Sequence, residues 1–217
     1  MILESELKVV EINDWHIRIK EPAVVDRNPT ILLLHGWSGD ESAMWVFARA
    51  IPQNHFIIAP RGVHSTDLGG HGWLPGIDGW PQLIDYGQSI DALVDLIEIL
   101  SDKYPGYELN KFGVMGFSQG ASLGYAFSLR FPEKIRYLIG LAGFMPDGVG
   151  QFVKREILLD VPVFVAHGTK DELVPVTRAR QAVHLLQTSG ADITYCEDDV
   201  GHKLSASCFQ GLENYFI

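Results

Sequence analysis

Hydrophobic residues follow two different patterns along the chain. Residues 7–12 and 15–20 alternate between apolar and polar types on either side of Asn13-Asp14, which predicts an antiparallel hairpin. From residue 30 onward, short apolar runs alternate with longer segments of helical period. The six runs are 31–34, 56–59, 112–115, 135–142, 161–166 and 193–196. Because near-continuous apolar strands suit a parallel sheet covered on both faces, we predict an α/β fold with eight strands, two antiparallel and six parallel.

The segments between these runs have the spacing of amphipathic helices. Between residues 83 and 103, Ile90, Leu93 and Ile97 share one face while Asp91 and Asp95 point away. Further helices are predicted at about 41–50, 119–131, 176–188 and 203–215. The 18 residues between Ala142 and Val161 are too few for an inserted lid domain, so we expect helices on both faces of the sheet and no large lid.

Composition and charge narrow the class of protein. A length of 217 residues suits a single domain, 1–217. The net charge of −10 disfavours nucleic acid and anionic membranes as partners. No apolar run approaches the ~20 residues of a membrane span, and the first residues lack a signal-peptide pattern. Cys196 and Cys208 form neither a disulfide framework nor a metal signature, so we expect free thiols, a reducing compartment and a cytoplasmic protein.

Gly116-Phe117-Ser118-Gln119-Gly120 is a G-x-S-x-G motif between a predicted strand and a predicted helix. That context is the one in which a nucleophilic serine is presented on a sharp turn. The two glycines have a physical role there, because the strand and helix pass too close for side chains. Ser118 is therefore the candidate nucleophile rather than a simple helix cap.

A serine hydroxyl needs a base, and the base needs an orienting acid. Of the eight histidines, His202 lies in a loop after the last predicted strand, where the carboxyl-end loops of a parallel sheet carry the site. The acid is expected in the loop after the run 161–166. Asp171 is the preferred candidate, and its neighbour Glu172 is the alternative because one residue of register decides between them.

Stabilising a tetrahedral intermediate requires two backbone N–H donors. Gln119, directly after the nucleophile, is expected to supply one of them. The second is expected from the turn His35-Gly36-Trp37-Ser38-Gly39-Asp40 after the first parallel strand. Trp37 is the preferred donor and Ser38 the alternative.

These pieces together resemble the phospholipase/carboxylesterase family of α/β-hydrolases, which includes carboxylesterases and acyl-protein thioesterases. The matching motifs, in family order, are the turn from His35 to Asp40, Ala59-Pro60-Arg61-Gly62, Gly116 to Gly120, Gly143-Phe144-Met145-Pro146, His167-Gly168-Thr169-Lys170-Asp171 with Val174-Pro175, and Gly201-His202. The resemblance implies the triad Ser118, Asp171 and His202 and an oxyanion hole from Trp37 and Gln119. The N-terminal hairpin and the large side chain of Trp37 depart from the family pattern.

The sequence thus predicts a serine hydrolase that cleaves carboxylic esters of short to medium acyl chain, or thioesters. A peptidase or C–C bond hydrolase on the same scaffold, or a non-catalytic ligand-binding protein, is the alternative. The loop 60–81 is expected to wall the site with Trp73, Leu74, Ile77 and Trp80. We expect no cofactor and no metal, a small-molecule ester as partner, no nucleic acid, no membrane span, and a monomer or homodimer.

Overall fold

The computed structural model describes residues 7–76 and 78–216, within which it contains ten strands and four α-helices. The strands are β1 (Leu7–Ile12), β2 (Trp15–Lys20), β3 (Asn28–Leu34), β4 (Phe56–Pro60), β5 (His64–Ser65), β6 (His71–Gly72), β7 (Tyr107–Phe117), β8 (Ile135–Leu141), β9 (Pro162–Gly168) and β10 (Asp192–Asp198). The α-helices are α1 (Gly87–Lys103), α2 (Gln119–Arg130), α3 (Val176–Thr188) and α4 (Ala206–Tyr215).

Eight of the strands form one sheet in the order β1-β2-β4-β3-β7-β8-β9-β10. The six strands from β4 to β10 in that order pair in parallel, whereas β1 pairs with β2 and β2 with β4 in antiparallel fashion. The hairpin turns at Asn13, whose φ of 53° is the left-handed value that tight hairpin turns require. The α/β prediction, with two antiparallel and six parallel strands, is confirmed.

Both faces of the central strands are buried, which explains their continuous apolar runs. In β3, Leu32 and Leu34 belong to a core cluster that includes residues of α1 and α2. Their neighbours Ile31 and Leu33 belong to a second cluster on the other face. Because successive side chains of a strand point to opposite faces, each face needs its own apolar cover.

Three of the predicted helices differ in type or in where they begin. The segment predicted as a helix at 41–50 is a 3-10 helix, Ala43–Ala50, and a second 3-10 helix, Leu83–Tyr86, precedes α1. The last helix begins at Ala206, three residues later than predicted. It starts there because the Ser205 side chain accepts a hydrogen bond from the Cys208 backbone N–H and so caps the first turn.

The prediction of free thiols is wrong, because Cys196 and Cys208 form a disulfide. Cys196 lies in β10 and Cys208 in α4, and the chain folds back after His202 so that the two Cα atoms are 5.7 Å apart. A spacing of twelve residues gives no sign of this approach, which depends on how the helix packs against the strand. The expectation of a reducing compartment rested on free thiols and loses that support.

The chain between β8 and β9 forms no helical lid. It contains one short 3-10 helix, Val149–Gln151, and otherwise runs as turns and extended backbone. The carboxyl ends of β7, β9 and β10 are therefore not covered by an inserted domain. Among the described residues, no helix has the length and hydrophobicity that crossing a membrane would require.

Candidate active site

Ser118 occupies the sharp turn between β7 and α2. Its backbone has φ 54° and ψ −117°, a conformation that a residue with a side chain rarely adopts. The turn is held by the Ser118 N–H, which donates to the Leu141 carbonyl at 2.9 Å. A Cβ at Gly116 would collide with the backbone of Gly120, and one at Gly120 would collide with the Leu34 carbonyl. Both glycines of the motif are therefore required by close backbone packing.

His202 and Asp171 are joined by a direct hydrogen bond. Nδ1 of His202 donates to Oδ2 of Asp171 at 2.7 Å, which leaves Nε2 as the ring nitrogen able to take up a proton. The other carboxylate oxygen, Oδ1, accepts the backbone N–H groups of Leu173 and Val174 at 3.0 and 2.9 Å. Asp171 is buried, whereas the alternative acid, Glu172, is exposed. The geometry thus favours Asp171 as the partner of the histidine.

A second buried histidine, His167, lies beside this pair; the sequence placed it in a family motif but assigned it no role in the site. Its Nε2 donates to the Val174 carbonyl at 2.8 Å and lies 3.4 Å from Oδ2 of Asp171. Burial lowers the pKa of His167, so the ring is neutral. Its position at the end of β9, four residues before Asp171, is the sequence signal that could have indicated this contact.

Ser118 and His202 line one cavity of about 400 Å³, together with Gln119 and Trp37. The nucleophile candidate comes from the end of β7, and the histidine from the loop after β10. The ring of His202 packs against the ring of Phe117, with centroids 5.0 Å apart. Because Phe117 directly precedes Ser118, this contact holds the histidine beside the turn that carries the serine. The structure therefore brings together at one edge of the sheet the three side chains that the sequence assigned to the triad.

The turn after β3 lies directly against the candidate nucleophile, Ser118. Gly36 and Gly39 close this turn with a hydrogen bond of 3.2 Å, and Ser38 within it has a φ of 61°. A Cβ at Gly36 would lie 3.3 Å from Cβ of Ser118, so the backbone of the turn approaches the serine closely. Gln119 is the first residue of α2, and its N–H therefore has no partner within the helix. These are the features that backbone donors for an oxyanion require.

The side chain of His35 fixes this turn from below. Its Nδ1 donates to the Gly36 carbonyl at 2.7 Å, and its Nε2 accepts the Gly62 backbone N–H at 2.8 Å. The ring is buried, and burial lowers its pKa. A neutral His35 therefore connects the turn after β3 with the start of the loop 60–81.

The four residues predicted to wall the site have different positions. Leu74 and Trp80 line the cavity beside Ser118. The prediction for Trp73 is wrong, because its side chain is fully buried and its indole Nε1 donates to the His35 carbonyl at 2.8 Å. Ile77 lies outside the described residues.

Trp80 is held in the wall by two neighbours that sequence reasoning did not assign to the site. Its ring meets Phe144 edge-on with centroids 4.8 Å apart, and Phe144 itself lines the cavity. The guanidinium of Arg178 lies 4.3 Å from the centroid of the Trp80 ring and binds Asp147 at 2.8 Å. Phe144 belongs to the motif Gly143-Phe144-Met145-Pro146, which is the signal that could have indicated its role.

Comparison with known proteins gives a consistent result. The family model described as Phospholipase/Carboxylesterase matches residues 16–216. The chain is 29% identical over 180 residues to acyl-protein thioesterase 1 of Saccharomyces cerevisiae, covering 74% of this chain and 78% of the relative. It is 26% identical over 194 residues to the human serine hydrolase-like protein, covering 87% of this chain and 76% of the relative.

Solved structures agree on the fold. The carboxylesterase of Bacillus cereus superposes with a TM-score of 0.82 at 19% identity and covers 94% of both chains. A carboxylesterase from Mesorhizobium loti superposes with a TM-score of 0.82 at 20% identity and covers 97% of this chain and 98% of its own.

Proposed function

Because the chain belongs to the phospholipase/carboxylesterase family of α/β-hydrolases, we propose that it hydrolyses carboxylic esters or thioesters of short to medium acyl chain, with Ser118 as the nucleophile. The observation that carries the proposal is the hydrogen bond between His202 and Asp171, with His202 and Ser118 in one cavity. The thioester half of the proposal is supported by the relatives named acyl-protein thioesterase.

The reaction proceeds in two steps on this geometry. The Ser118 hydroxyl attacks the carbonyl carbon, and its proton passes to Nε2 of His202, while Asp171 holds Nδ1 and stabilises the imidazolium. The imidazolium then protonates the leaving alcohol or thiol, and an acyl-serine remains. Water, deprotonated by His202, attacks this ester, the bond from the acyl carbon to Oγ breaks as the imidazolium returns its proton to Ser118, and the carboxylic acid is released.

The charge that develops on the carbonyl oxygen is stabilised by the backbone N–H groups of Trp37 and Gln119. The turn containing Trp37 lies against Ser118, and Gln119 begins the following helix, whose positive end favours a negative charge. One such donor is typically worth ~3 kcal/mol of transition-state stabilisation.

The test of the nucleophile is covalent labelling by a fluorophosphonate together with turnover of a butanoate ester. We expect wild-type protein to be labelled, and Ser118→Ala to lose labelling and about four or more orders of magnitude in kcat with unchanged melting. Retention of a tenth of the activity in Ser118→Ala would contradict the assignment.

The test of the acid compares two neighbouring carboxylates. Asp171→Asn should reduce kcat by about three to four orders of magnitude, because the amide favours the wrong histidine tautomer. Glu172→Gln is the matched control and should change kcat less than about threefold, since exposed substitutions have small effects. The reverse ranking would move the acid by one residue.

The open site has a consequence for substrate form. Since no helical lid covers the cavity, dissolved esters should be cleaved below their micellar concentration with ordinary saturation. The assay is initial rate against concentration for butanoate to octanoate esters across the micellar limit. An abrupt rise in rate only on micelle formation would contradict the open site.

A further inference from the structure

A second cavity, of about 510 Å³, shares the lining residue Trp37 with the cavity that Ser118 and His202 line. The second cavity is bounded by the turn after β3, by the 3-10 helix Ala43–Ala50 and by the chain from Lys203 into α4. It is larger than the first cavity. The turn after β3, which lies against Ser118, forms part of its wall, so the second cavity adjoins the proposed reaction centre.

The walls of this cavity are mostly apolar. Met44 and Phe47 come from the 3-10 helix, Phe117 precedes the nucleophile, and Leu204 and Phe209 come from the segment after the catalytic histidine candidate. A surface of this kind accepts an alkyl or aryl group. The disulfide between Cys196 and Cys208 ties α4 to β10 and so fixes the wall that Phe209 contributes.

Two cations line the same cavity, and none of the described residues that line it carries a carboxylate. The guanidinium of Arg49 lies 4.1 Å from the centroid of the Phe209 ring, and Lys203 directly follows His202. Among the described residues, neither cation forms an ion pair. The chain has 27 acidic against 17 basic residues, so an unpaired pair of cations beside an apolar cavity is a local reversal of the protein's charge.

The chemistry of the proposed reaction indicates which half of the substrate lies here. The imidazolium of His202 must reach the leaving oxygen or sulfur, so the leaving group lies on the histidine side of the carbonyl. The residues that directly follow His202, from Lys203 to Ala206, line the second cavity. The first cavity, with Leu74 and Trp80, remains for the acyl group.

From these observations, and on the basis of the proposed function, we infer that the second cavity binds the leaving group, and that the preferred substrates are esters or thioesters whose alcohol or thiol is an apolar chain carrying an anionic group. Arg49 and Lys203 pair with that anion, and the aromatic and aliphatic walls pack against the chain. Carboxylate and phosphate share the required chemistry.

The test uses esters that differ only in one remote charge. The butanoate ester of ω-hydroxyoctanoic acid is compared with that of its carboxamide, so that the acyl group and the reacting bond are the same. We expect kcat/KM to favour the carboxylate by about fivefold at low salt and by less at high salt, because exposed ion pairs are screened. The corresponding ω-phosphate ester shows, by its rate relative to the carboxylate, which anion fits better.

Variants then assign the preference to the two cations. In Arg49→Gln combined with Lys203→Gln, the ratio of carboxylate to carboxamide should fall to about one, since both charges are removed. The matched control is Lys103→Gln, an exposed cation at the far end of α1, which should keep the wild-type ratio. Thermal melting of each variant confirms that it is folded.

A further arm tests the orientation. When the carboxylate is placed on the acyl chain, as in the monobutyl ester of octanedioic acid against its carboxamide, the double variant should not alter the ratio. A charge preference that depends on Arg49 and Lys203 with the acyl-side pair, or no preference with the leaving-group pair, would overturn the inference. Loss of fluorophosphonate labelling and of all ester turnover in wild-type protein would instead contradict the proposed function.

Discussion

The loop 60–81 contains two tryptophans seven residues apart that have opposite roles in the structure. Trp73 ends the first part of the loop, residues 61–73, and has three polar links to other parts of the chain. Its indole donates to the His35 carbonyl, its backbone N–H donates to Oε1 of Gln119 at 2.7 Å, and its carbonyl accepts the Ser89 hydroxyl. This part of the loop is therefore packed into the scaffold beside the turn that carries Ser118.

Trp80 lies in the last part of the loop, residues 78–81, and within the described chain it makes no such set of polar links. It is 37% exposed, and its ring is held by Phe144 and by the guanidinium of Arg178. Next to it, the Pro81 carbonyl accepts the Asp147 backbone N–H at 2.9 Å. The last part of the loop, residues 78–81, is thus attached to Asp147 at its end, while the ring of Trp80 faces the cavity.

The difference shows that the partners of an aromatic residue, rather than its type, decide whether it is part of the scaffold or faces the cavity. A buried indole needs an acceptor for its N–H, and for Trp73 this acceptor is the backbone carbonyl of His35 at the end of β3. A ring that contacts a cation on its face and meets another ring edge-on can remain partly exposed. Stability should therefore depend on Trp73, and substrate binding on Trp80.

The largest expected effect is the loss of stability in Trp73→Ala. Truncating a fully buried tryptophan should lower the free energy of unfolding by about 3–5 kcal/mol, because it removes the packing and leaves a cavity. Trp80→Ala should cost less than about 1.5 kcal/mol, since its ring is partly exposed. Urea unfolding followed by circular dichroism measures both. An equal fall in the free energy of unfolding for Trp73→Ala and Trp80→Ala would show that the two parts of the loop, 61–73 and 78–81, do not differ as described.

The next effect concerns substrate affinity. Trp80→Ala should raise KM for octanoate esters by roughly three- to tenfold and change kcat by less than about twofold, because a wall contact contributes alike to the ground state and the transition state. Ile84→Ala is the matched control, since Ile84 is close in sequence, 84% exposed and not part of the cavity lining. A fall in kcat with unchanged KM would assign Trp80 to the chemical step instead.

Trp73 and Trp80 also show which features of the structure could be predicted from the sequence and which could not. Apolar runs predicted the strands because a parallel sheet buries both faces, and the strand-turn-helix context of Ser118 predicted its strained turn. The sequence did not separate Trp73 from Trp80, because the atoms that bind Trp73 belong to His35, Gln119 and Ser89, which are 38, 46 and 16 positions away. The disulfide could not be predicted from the sequence for the same reason: it depends on contacts between separate elements, here the packing of α4 against β10.

The smallest expected effect is a pH dependence of local stability that differs between the two parts of the loop. Burial lowers the pKa of His35 from its ordinary value of 6.5. The ring accepts the Gly62 N–H at Nε2, and it can do so only while that nitrogen is unprotonated. For a histidine with a lowered pKa in the folded state, the stability it contributes is complete above the ordinary value. That stability is lost as the pH falls below this value toward the folded-state pKa. This loss of stability should affect the first part of the loop, residues 61–73, which is hydrogen-bonded to His35 through Gly62, and not the last part, residues 78–81.

Amide hydrogen exchange tests this difference within one molecule. Protection factors for residues 61–73, corrected for the intrinsic effect of pH, should decrease from pH 7 to pH 5 by about fivefold, as expected for weakening a hydrogen bond worth ~1 kcal/mol, while those for 78–80 stay constant. In His35→Gln, which has no titrating ring, the decrease should disappear even if the starting protection is lower. An equal decrease in both parts of the loop, or one that persists in His35→Gln, would show that the acid response arises elsewhere and that His35 does not connect the turn after β3 to residues 61–73.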